Sequence, residues 1–259
     1  MAEPIYGMGW VPSLPDHRDR VYSAPRHLLE ALPPKFSLRS KMPPVWNQGS
    51  LGSCTSQALG ADCQYTMALI GKERAIMPAR LFLYYNARAI EGTTQSDAGA
   101  AIRDIVKAAV KWGYPSESKW PYRIARFAEP PPSECYTEGT TNLISQYQAV
   151  PQDVDTIKAC IVAGRPVIVG VSVYDSFMDA EASKTGIVPW PKRSEKLRGG
   201  HAILVIGWDD TYSGVAPGHF ECRGSWGKEF GDAGHHWLPY RYLTTPSLSS
   251  DFWRVDYVI

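Results

Sequence analysis

The stretch NQGSLGSCTSQA at residues 47–58 decides the fold of this chain. In it, Cys54 follows a turn rich in glycine and serine, and Gln48 lies six residues before the cysteine. Residues 55–70 are rich in Ala, Leu, Met and Gln, which predicts a helix with Cys54 at or near its amino-terminus. The unpaired N–H groups and the dipole of a helix start favour a thiolate, and a glutamine side chain can donate an N–H to a developing oxyanion. The stretch therefore indicates a nucleophilic thiol beside an oxyanion donor.

A histidine far downstream supplies the second half of this pattern. The run GGHAILVIGW at residues 199–208 is short, branched and bounded by glycines, which predicts a buried strand opened by His201. A cysteine towards the amino-terminal side and a histidine far along the chain are typical of a nucleophile and its general base. The other five histidines are weaker candidates. The adjacent His235 and His236 do not form a metal motif, because neighbours on a strand point to opposite faces.

Four segments together resemble a papain-like cysteine peptidase of the compact bacterial type. They are residues 47–54, the His201 strand, the segment 223–240 that contains GSWG, and the entry segment 9–19. The resemblance implies an α+β fold with two lobes, one helical and one β-rich, and an active-site cleft between them. It also implies hydrolysis of peptide bonds through a thioester, with Cys54 as nucleophile, His201 as base, and Gln48 with the Cys54 N–H as the oxyanion hole.

The sequence departs from this family at Gly224. Papain-like enzymes have an asparagine there, which holds the histidine ring, whereas glycine has no side chain to accept a ring N–H. The orienting hydrogen bond then comes from water, a backbone carbonyl or another side chain, or it is absent. We therefore expect a weakened enzyme or a rebuilt site. The alternatives are a cysteine-dependent acyl transferase or cyclase, and a catalytically impaired binding module.

The resemblance also indicates residues that contact substrate. Gly99 is expected to expose its backbone to a bound peptide strand, since a missing side chain lets another backbone approach. A glycine at a helix start is the alternative reading of this position. Asp97, Gly200 and Trp226 are predicted to contact the same substrate, and Trp226 is also expected to shield His201 from solvent.

The amino-terminal residues 1–31 are predicted to form an extended arm, followed by a catalytic domain at 32–259. Within that domain we expect a helical lobe at about 45–150 and a β-rich lobe at about 151–259. The arm either lies across the cleft as a short inhibitory pro-segment or buttresses the domain. Buttressing is favoured, because extended termini with few apolar anchors more often pack on a surface.

Periodicity and breakers predict four helices followed by five strands. The helices are expected at 55–70, 79–90, 100–112 and 153–163, and the strands at 167–174, 202–208, 219–222, 234–238 and 252–258. Residues 126–135 and 183–199 are expected to be long loops. Helices first and strands later indicate an α+β architecture.

Composition and charge limit the classes of partner that are expected for the chain. A net charge of +1 over 259 residues gives no reason to expect nucleic acid, and no apolar stretch approaches the ~20 residues that span a bilayer. The five cysteines contain no C-x-x-C pair, so neither a zinc site nor a disulfide framework is expected. No cofactor is implied, and the expected partner is a peptide or protein substrate. The start of the sequence lacks a secretory signal, so a cytoplasmic location is expected, with export by another route left open.

Overall fold

The computed structural model describes residues 6–71, 76–212 and 217–259. Within these ranges, seven strands form one antiparallel sheet in the order β2-β7-β3-β4-β5-β6, and β1 pairs with the end of β4. The strands are β1 (Lys35–Ser37), β2 (Ile144–Ala149), β3 (Val167–Tyr174), β4 (Leu197–Asp209), β5 (His219–Arg223), β6 (His235–Pro239) and β7 (Ser249–Val258).

The helices lie mostly before the sheet in the sequence, which gives the predicted α+β order. They are α1 (Arg26–Leu29), α2 (Cys54–Leu69), α3 (Arg80–Glu91), α4 (Ile102–Trp112), α5 (Ser133–Gly139), α6 (Val154–Val162), α7 (Ala180–Thr185) and α8 (Tyr240–Thr244). Helices α2, α3, α4 and α6 correspond to the four predicted helices, and strands β3 to β7 correspond to the five predicted strands. The α1 turn lies within the segment that was predicted to be extended.

Helix α2 is the central helix of the fold. It packs against α3 and α4 on one side and against β4 and β7 on the other. Consequently, nearly all of its side chains are buried, including polar ones such as Gln57 and Asp62. This burial fixes the helix start, and with it Cys54, against strand β4 in the interior of the sheet.

Strand β4 is longer than predicted, and this corrects the placement of His201. The strand begins at Leu197, so His201 lies inside it rather than at its start. Gly199 and Gly200, which suggested a loop, pair with residues of β3. They are glycines because the amino-terminal arm packs against them, and a Cβ on Gly200 would lie 2.5 Å from the Trp10 carbonyl oxygen.

Two further boundaries differ from expectation. Strand β2 pairs with β7, so the sheet begins before residue 151 and includes a strand from the predicted helical lobe. Helix α5 begins at Ser133 and shortens the loop predicted at 126–135. All five cysteines are free and buried. Among the described residues, no helix is both long and apolar enough to cross a bilayer.

Candidate active site

Cys54 is the first residue of α2, as the sequence predicts, and it is fully buried. Ser53 takes the N-cap position without capping through its side chain. Burial raises the pKa of the Cys54 thiol to about 11, although backbone N–H groups of Ala202, Gly9, Thr55 and Cys54 itself favour the thiolate. The backbone N–H groups at the helix start therefore favour ionisation of the Cys54 thiol, but the loss of hydration on burial has the larger effect.

His201 faces the same region from β4. Its ring stacks on the indole of Trp226, with centroids 4.3 Å apart and planes 26° apart, which is the shielding that the sequence predicts. Burial depresses the pKa of His201 well below its usual value, and nearby His236 lowers it further. Neither ring nitrogen has a hydrogen-bond partner among the described residues. Burial thus favours the neutral form of both groups, and the histidine makes no hydrogen bond to the thiol.

Gln48 is buried and rigidly held. Its Oε1 accepts the Ser225 hydroxyl at 2.5 Å, which fixes which end of the amide is the donor. The Nε2 group donates to the carbonyl of Leu51 at 2.8 Å and to the carbonyl of Gly7 at 3.1 Å. The Trp226 indole N–H also donates to the Gly7 carbonyl, at 3.1 Å. A peptide carbonyl therefore occupies the position at which the predicted oxyanion donor aims.

That carbonyl belongs to the amino-terminal arm, and this overturns the preference for a buttressing role. Residues 6–11 run through the cleft: Gly7 N–H donates to the Gly49 carbonyl, and Trp10 N–H donates to the Gly200 carbonyl, each at 3.0 Å. The backbone N–H of Gly9 is among the groups that favour the Cys54 thiolate. The apolar anchors that a cleft-binding segment needs are few, but they are concentrated here in Tyr6, Met8 and Trp10.

Trp10 anchors the arm in a pocket of the β-rich part. The indole lies where a side chain at Gly170 would be, since a Cβ there would come within 1.9 Å of the Trp10 ring. Its N–H donates to the Asp251 carboxylate at 2.9 Å, and only 8% of the residue is exposed. Asp251 has a left-handed backbone conformation, with φ of 58°, which is uncommon for a residue other than glycine.

The predicted substrate residues fall into two groups. Gly200 contacts the arm as described above, and so does Gly99, whose Cβ would lie 2.2 Å from the Gly9 carbonyl oxygen. The neighbouring Ala100 N–H donates to that same oxygen at 2.7 Å. Asp97 has a different place, because its carboxylate accepts the Gly52 N–H and the Tyr84 hydroxyl. It holds the loop before Cys54, and its substrate contact stays a prediction.

Sequence reasoning missed two features of this site. One is the position of the arm in the cleft, which the sequence offered only as the less favoured alternative. Its signal is the alternation of large apolar residues at 6, 8 and 10 with Gly7 and Gly9, because glycines let the backbone approach the cleft closely. The other is His236, which is 1% exposed and lies edge-on to Trp226 at 5.7 Å. Its signal was the glycine at position 224, directly after the neighbouring strand β5.

Comparison with known proteins agrees with this geometry. The family model for papain family cysteine proteases matches residues 32–242. An uncharacterized peptidase C1-like protein of Acanthamoeba polyphaga mimivirus is 32% identical over 274 residues, which cover 96% of this chain and 86% of that protein. The crystal structure of xylellain, a cysteine protease from Xylella fastidiosa, is 36% identical with a TM-score of 0.90, covering 100% of this chain and 99% of xylellain. Digestive procathepsin L 3 of Tenebrio molitor shares the fold at 18% identity, with a TM-score of 0.70 and coverage of 94% and 74%.

Proposed function

The chain belongs to the papain family of cysteine proteases, and we propose that it hydrolyses peptide bonds through a thioester on Cys54, with its own arm as a removable block of the cleft. The observation that carries the proposal is the seating of residues 6–11. An extended peptide lies over the thiol, and one of its carbonyls accepts hydrogen bonds from Gln48 and Trp226. The cleft is thus complementary to a peptide backbone.

The chemical steps use the three residues in distinct roles. Once the arm leaves, the Cys54 thiol transfers its proton to His201, and the thiolate attacks the carbonyl carbon of the substrate. Gln48 Nε2 and the Cys54 N–H stabilise the oxyanion. His201 then protonates the leaving amine, and a thioester remains. Water attacks the thioester with His201 as base, which releases the carboxylic acid and restores the thiol.

The closed state is proposed to be latent for an electrostatic reason. Burial raises the pKa of the thiol to about 11 and depresses the pKa of the imidazole, so the neutral pair is favoured while the arm excludes water. The direction of the arm supports the same conclusion. Tyr6 packs on Phe230, and the papain-like resemblance places Phe230 where the family often has a tryptophan on the leaving-group side of the cleft. A substrate would place its carboxyl-terminal part on that side. The arm therefore runs in the direction opposite to that of a substrate, and it does not present its peptide bonds to Cys54 for attack.

The test uses the full chain, the Cys54→Ala variant and a Trp10→Ala variant that frees the cleft. We expect unfolded casein to be cleaved by the Trp10→Ala chain and left intact when Cys54→Ala is added. Mass spectrometry of the products distinguishes the reactions, because hydrolysis adds water to the two fragments together and acyl transfer does not. Intact casein with the Trp10→Ala chain, together with ordinary thiol reactivity of Cys54, would instead favour the binding module.

A further inference from the structure

Two buried histidines share one face of the sheet, with a glycine position between them. In the β4–β5 register Leu204 pairs with Arg223, and the next step along the register sets Ile203 opposite Gly224. Residues two apart on a strand share a face, so His201 of β4 lies on the face of Gly224. In the β5–β6 register Cys222 pairs with His236, which puts His236 on this face as well.

The ring of His236 fills the space that a side chain at position 224 would need. A Cβ on Gly224 would lie 2.4 Å from His236 Nε2 and 3.0 Å from its Cδ2. Contacts under 3.0 Å are sterically forbidden, and a buried ring cannot move away freely. Position 224 is where the papain-like resemblance places the asparagine that orients the histidine. The imidazole therefore occupies the space of the asparagine that this chain lacks.

The surroundings hold this ring in one place. Phe177 and Phe230 meet it edge-on, with centroid distances of 5.4 Å and 5.2 Å. Neither of its nitrogens has a hydrogen-bond partner among the described residues, and the same holds for His201. Buried polar atoms are ordinarily paired, so two buried imidazoles on one face of the sheet, both with unpaired nitrogens, point to a bond that forms in another state of the site.

We propose that His236 is the residue that positions His201 in place of asparagine. When the arm has left and His201 carries the thiol proton, the imidazolium donates one N–H to the Cys54 thiolate and the other to a ring nitrogen of His236. Gly224 makes room for that acceptor. The proposal rests on the proposed function, because it concerns the base of the same reaction.

The charges around His236 fit the role of a neutral acceptor. Burial, together with the smaller effect of the titratable neighbour His235, lowers the pKa of His236 to about 3. His236 therefore stays uncharged at neutral pH and does not repel the imidazolium of His201. A neutral imidazole has one nitrogen lone pair that accepts, which is the function that an asparagine side-chain oxygen serves.

The test is an exchange of two residues in the full-length chain that also carries Trp10→Ala. His236→Phe keeps the ring shape but removes the acceptor, and we expect kcat to fall about 10²-fold, as when general-base assistance is impaired, with little change in KM. Gly224→Asn alone places a side chain against the His236 imidazole, and we expect lower activity or lower thermal stability. The double variant His236→Ala, Gly224→Asn removes the ring that blocks a side chain at position 224 and restores an acceptor, and we expect it to recover at least about ten-fold over His236→Ala.

The pH dependence of Cys54 alkylation supplies a second measurement, which needs no turnover. In His236→Phe the thiolate should form at higher pH than in the parent, and the double variant should reverse this shift. A His236→Phe chain that folds and keeps the parent's kcat and pH profile would overturn the proposal. If His236→Phe does not fold, His236→Gln and His236→Leu replace it, and equal losses in both would also overturn it. An inactive parent chain would instead refute the proposed peptidase function.

Discussion

Replacing Trp10 by alanine should open the cleft. A buried tryptophan contributes 150–250 Å² of contact, and this one is 8% exposed with its indole N–H on Asp251. Tryptophan-to-alanine changes in packed sites cost about 3–5 kcal/mol. The indole is solvated once the arm opens, so this loss falls on the closed state alone. At 1.4 kcal/mol per factor of ten, the open population should rise roughly 100- to 4,000-fold.

The assay is alkylation of Cys54 by a small thiol reagent at neutral pH, with the labelled residue identified by mass spectrometry. The other four cysteines are buried and serve as internal references. Leu14→Ala is the matched control, because Leu14 lies on the same arm but is 83% exposed, and it should label at the wild-type rate. If Trp10→Ala also labels Cys54 at the wild-type rate, the indole does not hold the arm closed and the reasoning fails.

Three further predictions follow from separate features. Gly9→Ala should also speed alkylation of Cys54, because its Cβ would lie 1.8 Å from the Gly52 carbonyl oxygen and no rotamer relieves that clash; a wild-type rate would count against the arm position. Asp62→Asn should remove a loss of stability with rising pH, since burial raises the pKa of Asp62 from 3.8 to about 7. The unfolded state releases that proton first, so the free energy of unfolding falls by up to about 4 kcal/mol between pH 3.8 and about pH 7. Urea titrations at pH 4 and 8 should show a smaller fall in Asp62→Asn than in the wild type. The exposed control Asp155→Asn should show the wild-type fall. Asp97→Ala should reduce stability by about 1–3 kcal/mol and lower kcat through displacement of the loop before Cys54, whereas a loss confined to KM would indicate direct substrate contact.

Local chemistry made much of the site predictable. The turn before Cys54 and the start of α2 are encoded within about a dozen adjacent residues, so helix signals place the thiol correctly. The buried strand of His201 is equally local. The true length of that strand was not predictable locally, because Gly199 and Gly200 are strand residues through their pairing with β3, which lies far away in the chain.

The rest of the site depends on contacts that no local pattern contains. The Trp10 pocket combines Gly170 of β3 with Asp251 of β7, so its shape emerges only when the sheet is assembled. Likewise, His236 has no motif around it, and its relation to Gly224 depends on the pairing of β5 with β6. Neither Gly224 nor His236 indicates a role by itself in the sequence. Only the steric fit between them in the structure relates the two positions.

The arm is covalently continuous with the domain that it covers, and this has a consequence for how latency ends. Beyond Trp10 it is tied down again by Arg103, which bonds the Leu14 carbonyl and the Asp19 carboxylate, and by the Tyr22 N–H to Ala149 at 2.8 Å. A short tether gives its end segment an effective concentration in the millimolar range. Dilution therefore cannot release it, and a competing peptide must reach similar concentrations to displace it. A cut within residues 13–17 would turn residues 6–11 into a free peptide that diffuses away, so a reversible closure would become permanent release.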